Sequence, residues 1–319
     1  HFHYKHNMPL KTQPAKPLHI VHGDINLGVR GTGFEILFSS ATGNLSSYKC
    51  NGVELIEEAP KPSFWRAPVD NDYGSRRDFM TAQWKLASLY RRCVKKELLD
   101  EAGNWHEFDW FGQLGQKEYE ASSVSVRFTY ELATQPLSSC RMTYTVAEDA
   151  SIKVELDYDA VEGLPEIPDF AMLFTLPADY DQVRFYGYGP LDNYADRQRG
   201  ARLGIFETTA KDEVEPYLQP QETGNHGGIR WIEVTDHRGR GVRLAMDEEP
   251  FEASALPYSA HELENARHAY DLPEVHHTFL RASLGQCGVG GDNTWGAPVL
   301  PEYTVKNTAK HFAFYFKGI

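Results

Sequence analysis

Two stretches of this chain, Val124-Ser-Val126-Arg-Phe128-Thr-Tyr130 and Ile152-Lys-Val154-Glu-Leu156-Asp-Tyr158, place apolar residues at every second position with polar residues between them. A strand turns successive side chains to opposite faces, so such a segment rests with one face on a core and the other in water. Further short runs rich in β-branched and aromatic residues recur between turn signals: Phe34 to Phe38, Met142 to Val146, Phe170 to Thr175, Val183 to Tyr188, Trp231 to Thr235, Val242 to Met246 and Phe312 to Phe316. So many strands predict two packed antiparallel sheets, a large all-β sandwich. Helical signals are few. Phe79 through about Leu89 carries Met80, Trp84 and Ala87 at i, i+4 and i+7, with Asp78 available as a cap, and Ser259-Ala260-His261-Glu262 has capping-box spacing ahead of Leu263 and Ala266. No repeat with a period of roughly 20 to 50 residues marks a propeller or solenoid.

The 319 residues, 41% of them hydrophobic, suffice for a large core, and sandwiches of this length fold as one unit. Residues 18–319 are read as a single β-sandwich domain. Residues 1–17, with no initiator methionine and a Pro/Lys-rich stretch from Met8 to Pro17, read as a linker or cloning lead-in. A formal charge of -13 and a pI near 5.5 argue against nucleic-acid or anionic-membrane partners, which attract basic patches. No run of about 18 apolar residues exists to span a bilayer, and the first residues lack the apolar core of a signal peptide, so a cytoplasmic protein is expected. Cys50, Cys93, Cys140 and Cys287 lie far apart without CxxC or CxxH spacing and are read as buried thiols, with no metal assigned.

Four segments combine turn-forming and polar residues in a way that core packing does not require. In Gly290-Gly291-Asp292-Asn293-Thr294-Trp295-Gly296 the glycines permit positive φ and close approach of a ligand. Read locally, Trp295 fits a partly buried packing residue better than a sugar platform. In Phe64-Trp65-Arg66-Ala67-Pro68-Val69-Asp70-Asn71-Asp72-Tyr73-Gly74, the crowded Asp70, Asn71 and Asp72 lack the remaining positions of an EF-hand loop. A polar turn that caps nearby amides fits them better, and Gly74 followed by Ser75 would make a hinge. Gly187-Tyr188-Gly189 invites a nucleotide-binding reading, but Pro190 follows and no G-x-G-x-x-G opens a helix. In Pro216 to Trp231, Glu222 and His226 are a candidate acid/base pair, against the alternative that each is bonded to backbone or to an arginine such as Arg230.

In this order and at these separations the four segments (Phe64 to Gly74, Gly187 to Arg197, Pro216 to Trp231 and Gly290 to Trp295) resemble the C-terminal, small-chain region of large bacterial lactase-type β-galactosidases of glycoside hydrolase family 2. The resemblance covers about Leu18 to Phe316. It implies a β-supersandwich of the galactose-mutarotase type, and a chain that is either the end of a long polypeptide or a separate small subunit. It further implies that the two catalytic carboxylates lie on a TIM-barrel domain of a large partner, so no catalytic residue is assigned here. Mg2+ and Na+ are candidates for that partner, and no cofactor is assigned to this chain. Trp295, matching the tryptophan of the family's Gly-Gly-Asp-x-x-Trp motif, is expected to stack on the sugar, and Asp70, Asn71, Asp72 and Gly74 match a mobile active-site loop. Departures are mild: Asn293 and Thr294 stand where some relatives have Asp and Ser, Asp192 for Glu, and Thr223 for Asn.

The functional expectation is thus a non-catalytic part of a β-galactosidase acting on terminal β-D-galactosides such as lactose. It would complete the active site and support assembly. The alternatives are a free-standing aldose mutarotase or epimerase, with Glu222 and His226 as its acid and base, and a carbohydrate-binding module.

Overall fold

A computed structural model describes residues 16–108, 118–290, 293 and 295–319, and its strands pair antiparallel throughout. One sheet has six strands, in the order Val53–Glu54, Asn44–Cys50, Phe34–Ser39, Asn26–Gly31, Leu18–His22 and Glu118–Ala121. A second has ten: Arg202–Thr209, Gln182–Gly189, Trp231–Thr235, Gly241–Met246, Lys310–Gly318, Ile152–Tyr158, Ser138–Ala147, Ser123–Leu132, Arg91–Leu99 and Trp105–Glu107. The third has five: His226–Ile229, Phe251–Leu256, His277–Gln286, Asp169–Pro177 and Glu58–Ser63.

Ring contacts show how these sheets stack. Phe38 of the six-stranded sheet lies 5.7 Å from Tyr144 of the ten-stranded one, and Phe174 of the five-stranded sheet lies 4.8 Å from Phe316 of the same ten-stranded sheet. The ten-stranded sheet is therefore one layer, and the other two together form the opposite layer. The fold is the expected all-β antiparallel sandwich with a few short helices. A hydrophobic core runs between the layers from Leu18 to Phe316.

The alternation that predicts strands is realised residue by residue. In Ile152–Tyr158 the apolar positions are buried and Lys153, Glu155 and Asp157 are partly solvated. All nine sequence-predicted runs lie in strands, and Ile152–Tyr158 and Trp231–Thr235 have the bounds expected. Each apolar side chain so buried contributes about 1.5 to 3 kcal/mol. Glu58–Ser63 was not anticipated because Pro60 and Pro62 argue against a central strand. Its place at the edge of the five-stranded sheet is where proline is tolerated.

The helix expected over Phe79 to Leu89 is instead split between two short helices, α2 (Arg77–Met80) and α3 (Gln83–Leu89), and a further short helix, α1 (Asp70–Ser75), precedes them. The residue before α2 is Arg76 in the left-handed conformation, φ 60°, and Asp78 lies inside α2 rather than capping it. Two side chains explain the break before α3. The Thr81 hydroxyl donates to the Arg77 carbonyl at 2.8 Å, and Trp84 is drawn into the core with its indole N–H on the Pro165 carbonyl at 3.1 Å. The other helix signal is realised as α4 (Ala260–Asn265), with Glu262 N–H donating to Ser259 Oγ at 3.2 Å and Ser259 N–H to Glu262 Oε2 at 2.7 Å. Cys140 and Cys287 are buried free thiols. Cys50 and Cys93 are only half-buried, a correction to the reading of all four as buried. Among the described residues no helix is long and apolar enough to cross a membrane. Residues 1–15 of the expected lead-in lie outside the described residues.

Phe174 is fully buried where the five- and ten-stranded sheets meet. Phe174→Ala should cost about 3 to 5 kcal/mol of unfolding free energy in urea titrations, against less than about 0.5 kcal/mol for a change at exposed Lys49.

Candidate functional site

The four polar segments, scattered over more than two hundred residues, meet at one place, and a buried arginine joins the first of them to the stem of the last. Arg66 Nη2 donates to both oxygens of Asp72, at 3.1 and 2.9 Å, and to the Gly288 carbonyl at 3.0 Å. Its Nη1 donates to Gln286 Oε1 at 3.3 Å and to the Cys287 carbonyl. The first segment is thereby fastened to the strand end from which the glycine-rich turn departs. Asp72 Oδ2 also accepts from Val69 N–H at 3.0 Å, closing the first turn of α1.

Further bonds hold the same stem from other sides. Asn71 Nδ2 donates to the Val289 carbonyl at 2.9 Å, and the two Asp196 oxygens accept from Val289 N–H at 3.1 Å and Gly290 N–H at 2.8 Å. Gly288 is obligatory there, because an added Cβ would meet Asp196 Oδ2 at 2.3 Å. On the far side Gly296, with φ +120°, lies so close to α1 that a Cβ would come within 2.8 Å of the Gly74 carbonyl. Gln221 Oε1 accepts from Asp70 N–H at 3.3 Å, which brings in the remaining segment.

Trp295 stands on this scaffold with 91% of its surface exposed, its backbone N–H donating to Asn293 Oδ1 at 2.8 Å. It is no packing residue here. Gly291, Asp292 and Thr294 of its motif lie outside the described residues. The three oxygen-bearing neighbours do not converge on a common point. Asp72 turns inward to Arg66, Asn71 turns to Val289, and Asp70 is exposed. Gly74 lies in the last turn of α1, so the segment read as an open turn is helical.

Beneath the loops is a second buried polar layer that the sequence reading missed. Arg281 Nη1 donates to both oxygens of Asp169, at 2.9 and 3.0 Å, its Nη2 to Asn225 Oδ1, and its Nε to Ser254 Oγ at 3.2 Å. Asn225 Nδ2 in turn donates to Glu252 Oε2 at 3.1 Å and to the Asn193 carbonyl at 2.7 Å. Glu222 Oε1 accepts from Gln286 Nε2 at 3.3 Å, and the other end of that amide meets Arg66. A charged residue inside an apolar strand, such as Arg281 between Leu280 and Ala282, was the one signal that could have revealed this layer.

Burial raises the carboxyl pKa of Glu222 and Asp169 above the usual carboxylate range, with the nearby Arg281 opposing. Glu252 is pushed by the same burial up to about 7. His226 is buried, its Nε2 2.6 Å from Glu213 Oε2 and its Nδ1 3.0 Å from the Tyr188 carbonyl, under the Phe185 ring at 4.2 Å. Glu222 and His226 thus sit in separate networks. Arg230 bonds neither of them, reaching the Gly228 carbonyl and the faces of Tyr186 and Tyr188. Among the described residues no group of three or more His, Cys, Asp or Glu side chains is arranged to hold a metal ion.

The fold and site define an antiparallel β-sandwich that presents one exposed indole from a set of interlocked loops. A family described as the β-galactosidase small chain matches residues 30–317, and the chain belongs to that family. It is 32% identical to the β-galactosidase small subunit of Latilactobacillus sakei, over 94% of this chain and 97% of that one. It is also 42% identical to a β-galactosidase of Halalkalibacterium halodurans over 91% of this chain, and 38% identical to one of Streptococcus thermophilus over 93%, each match covering 27% of the longer protein. The chain therefore spans about a quarter of the length of those relatives. Among solved structures, galactose 1-epimerase of Lactobacillus acidophilus aligns over 97% of this chain and 96% of that one, at 9% identity and a TM-score of 0.42, a likeness too slight to transfer function.

The raised Glu252 carboxyl has a consequence for stability. Its folded pKa lies above the reference 4.5, so between about 4.5 and 7 the native state binds more protons than the unfolded chain. Stability should fall as pH rises through that window. Thermal melts from pH 5 to 8 should show this decline, and Glu252→Gln should flatten it.

Proposed function

We propose that this chain is the non-catalytic part of a β-galactosidase that completes the sugar site of a catalytic domain or large subunit. The catalytic carboxylates lie on that partner, which the resemblance makes a TIM barrel of glycoside hydrolase family 2. The substrate is a terminal β-D-galactoside such as lactose. The observation that carries the reading is Trp295: a 91% exposed indole, on a stem held by Arg66, Asn71 and Asp196. An apolar ring this exposed is unfavourable unless something covers it, and the C–H face of a pyranose is a suitable cover. Preorganisation matters as much as the ring, because a stem already ordered loses little entropy when sugar binds.

Membership of the small-chain family supports the division of labour. Retaining glycosidases need two carboxyls about 5 to 5.5 Å apart across the sugar, one of them able to protonate the leaving group. The buried carboxyls here are engaged by Arg66, Arg281, Asn225 and Gln286. Asp70, Asn71, Asp72 and Gly74, which the resemblance matches to a mobile active-site loop, move as one body with the tryptophan stem, because Asp72 and Asn71 are bonded to Arg66 and Val289 and Gly74 packs on Gly296.

In the assembled enzyme Trp295→Ala should raise KM for lactose by roughly 10- to 100-fold while the melting temperature of the chain stays unchanged. Steady-state kinetics beside a thermal melt measure both. Unaltered KM would refute the stacking role. Exchange of galactose anomers by this chain alone would favour the mutarotase reading instead.

A further inference from the structure

The apolar surface of this chain is unevenly placed. Among the described residues, seven of the 21 exposed large apolar side chains lie between Tyr73 and Val94. Phe79 and Met80 of α2 are 72% and 59% exposed. In α3, Trp84, Ala87 and Ser88 face the core, and Leu86 and Leu89, three residues apart, share the opposite face and stand in solvent. A helix apolar on both sides has a second surface to cover.

Between Ser75 and Glu97 there are seven basic and two acidic side chains, in a chain whose formal net charge is -13. Four of these cations are paired within the fold: Arg77 with Glu166, Lys85 with Glu264, Arg92 with Glu131 and Lys95 with Glu97. Of the other three, Arg91 lies over the Tyr130 ring at 5.7 Å, Lys96 lies beside Gly43, and Arg76 lies over the exposed Phe79 ring at 5.5 Å. The patch is thus apolar, with Arg76 at its edge. It is also continuous with the sugar site, since α1, immediately ahead of α2, touches Gly296 beside Trp295.

We propose that the face formed by α2 and α3 is the docking surface for the catalytic part of the same enzyme, which meets it with an apolar patch. The inference rests on the functional reading above. The relatives supply the reason for one occupant: in the longer ones roughly three-quarters of the polypeptide lies outside the matched region, and in Latilactobacillus sakei the match is a separate small subunit. A noncovalent joint next to the site keeps Trp295 in register with a sugar held elsewhere.

The test expresses this chain and the catalytic region of its enzyme as two polypeptides and measures their affinity and β-galactosidase activity when mixed. Leu86→Asp with Leu89→Asp should weaken association about a hundredfold, with activity recovered at high concentration of the variant. Leu203→Asp with Ile205→Asp, on the outer strand Arg202–Thr209, should change neither. In the unmutated complex, residues 77–90 should gain protection from hydrogen exchange, a readout independent of how any variant folds. Wild-type-like affinity of the α3 variant, or protection confined to other segments, overturns the docking face and leaves the functional reading standing. Self-association through α3 that persists in the mixture also overturns it, in favour of a second copy. If the unmutated chain neither binds nor activates the catalytic region, the functional reading itself fails.

Discussion

The guanidinium of Arg66 sets the terms for everything at this end of the molecule. A buried cation costs several kcal/mol unless its hydrogens find acceptors, and here they find Asp72, Gln286, Cys287 and Gly288. Those acceptors belong to α1 and to the strand end that leads into the tryptophan turn. The demand of one charge for partners therefore draws together segments more than two hundred residues apart. Asp196 makes the complementary demand from the opposite side, as a carboxylate satisfied by the amides of Val289 and Gly290. Between a fixed cation and a fixed anion the stem has little freedom left.

The sandwich was largely legible in the sequence because its signal is local and repetitive. Alternation in Ile152–Tyr158 needs no knowledge of what the strand pairs with. The site was legible only as four separate turn-rich segments. Their convergence is a fact of tertiary structure, and no spacing within any one of them encodes it. Trp295 illustrates the gap: read locally, glycines beside a tryptophan favour packing, and only its exposure shows presentation instead. Asp169, Glu252 and Arg281 escaped notice because a lone charge in an apolar strand resembles a surface residue until its partners are known. The break before α3 was hidden in a similar way, since it follows from the core claiming Trp84 rather than from propensity.

A presenting surface and a catalytic pair place opposite requirements on carboxylates. Catalysis needs at least one carboxyl able to give up a proton to substrate, whereas a rigid platform needs its carboxyls satisfied by fixed donors. Asp72, Asp169 and Asp196 are of the second kind. The chain spends its buried polar chemistry on holding loops still, which suits the proposed role of a component that shapes a site without carrying the catalytic carboxylates.

That division of labour is tested most directly by assaying β-galactoside hydrolysis by the purified chain alone and again after adding the catalytic region of its enzyme. The account predicts no turnover from the chain by itself and turnover in the mixture exceeding that of the catalytic region alone. Hydrolysis by the isolated chain would contradict it.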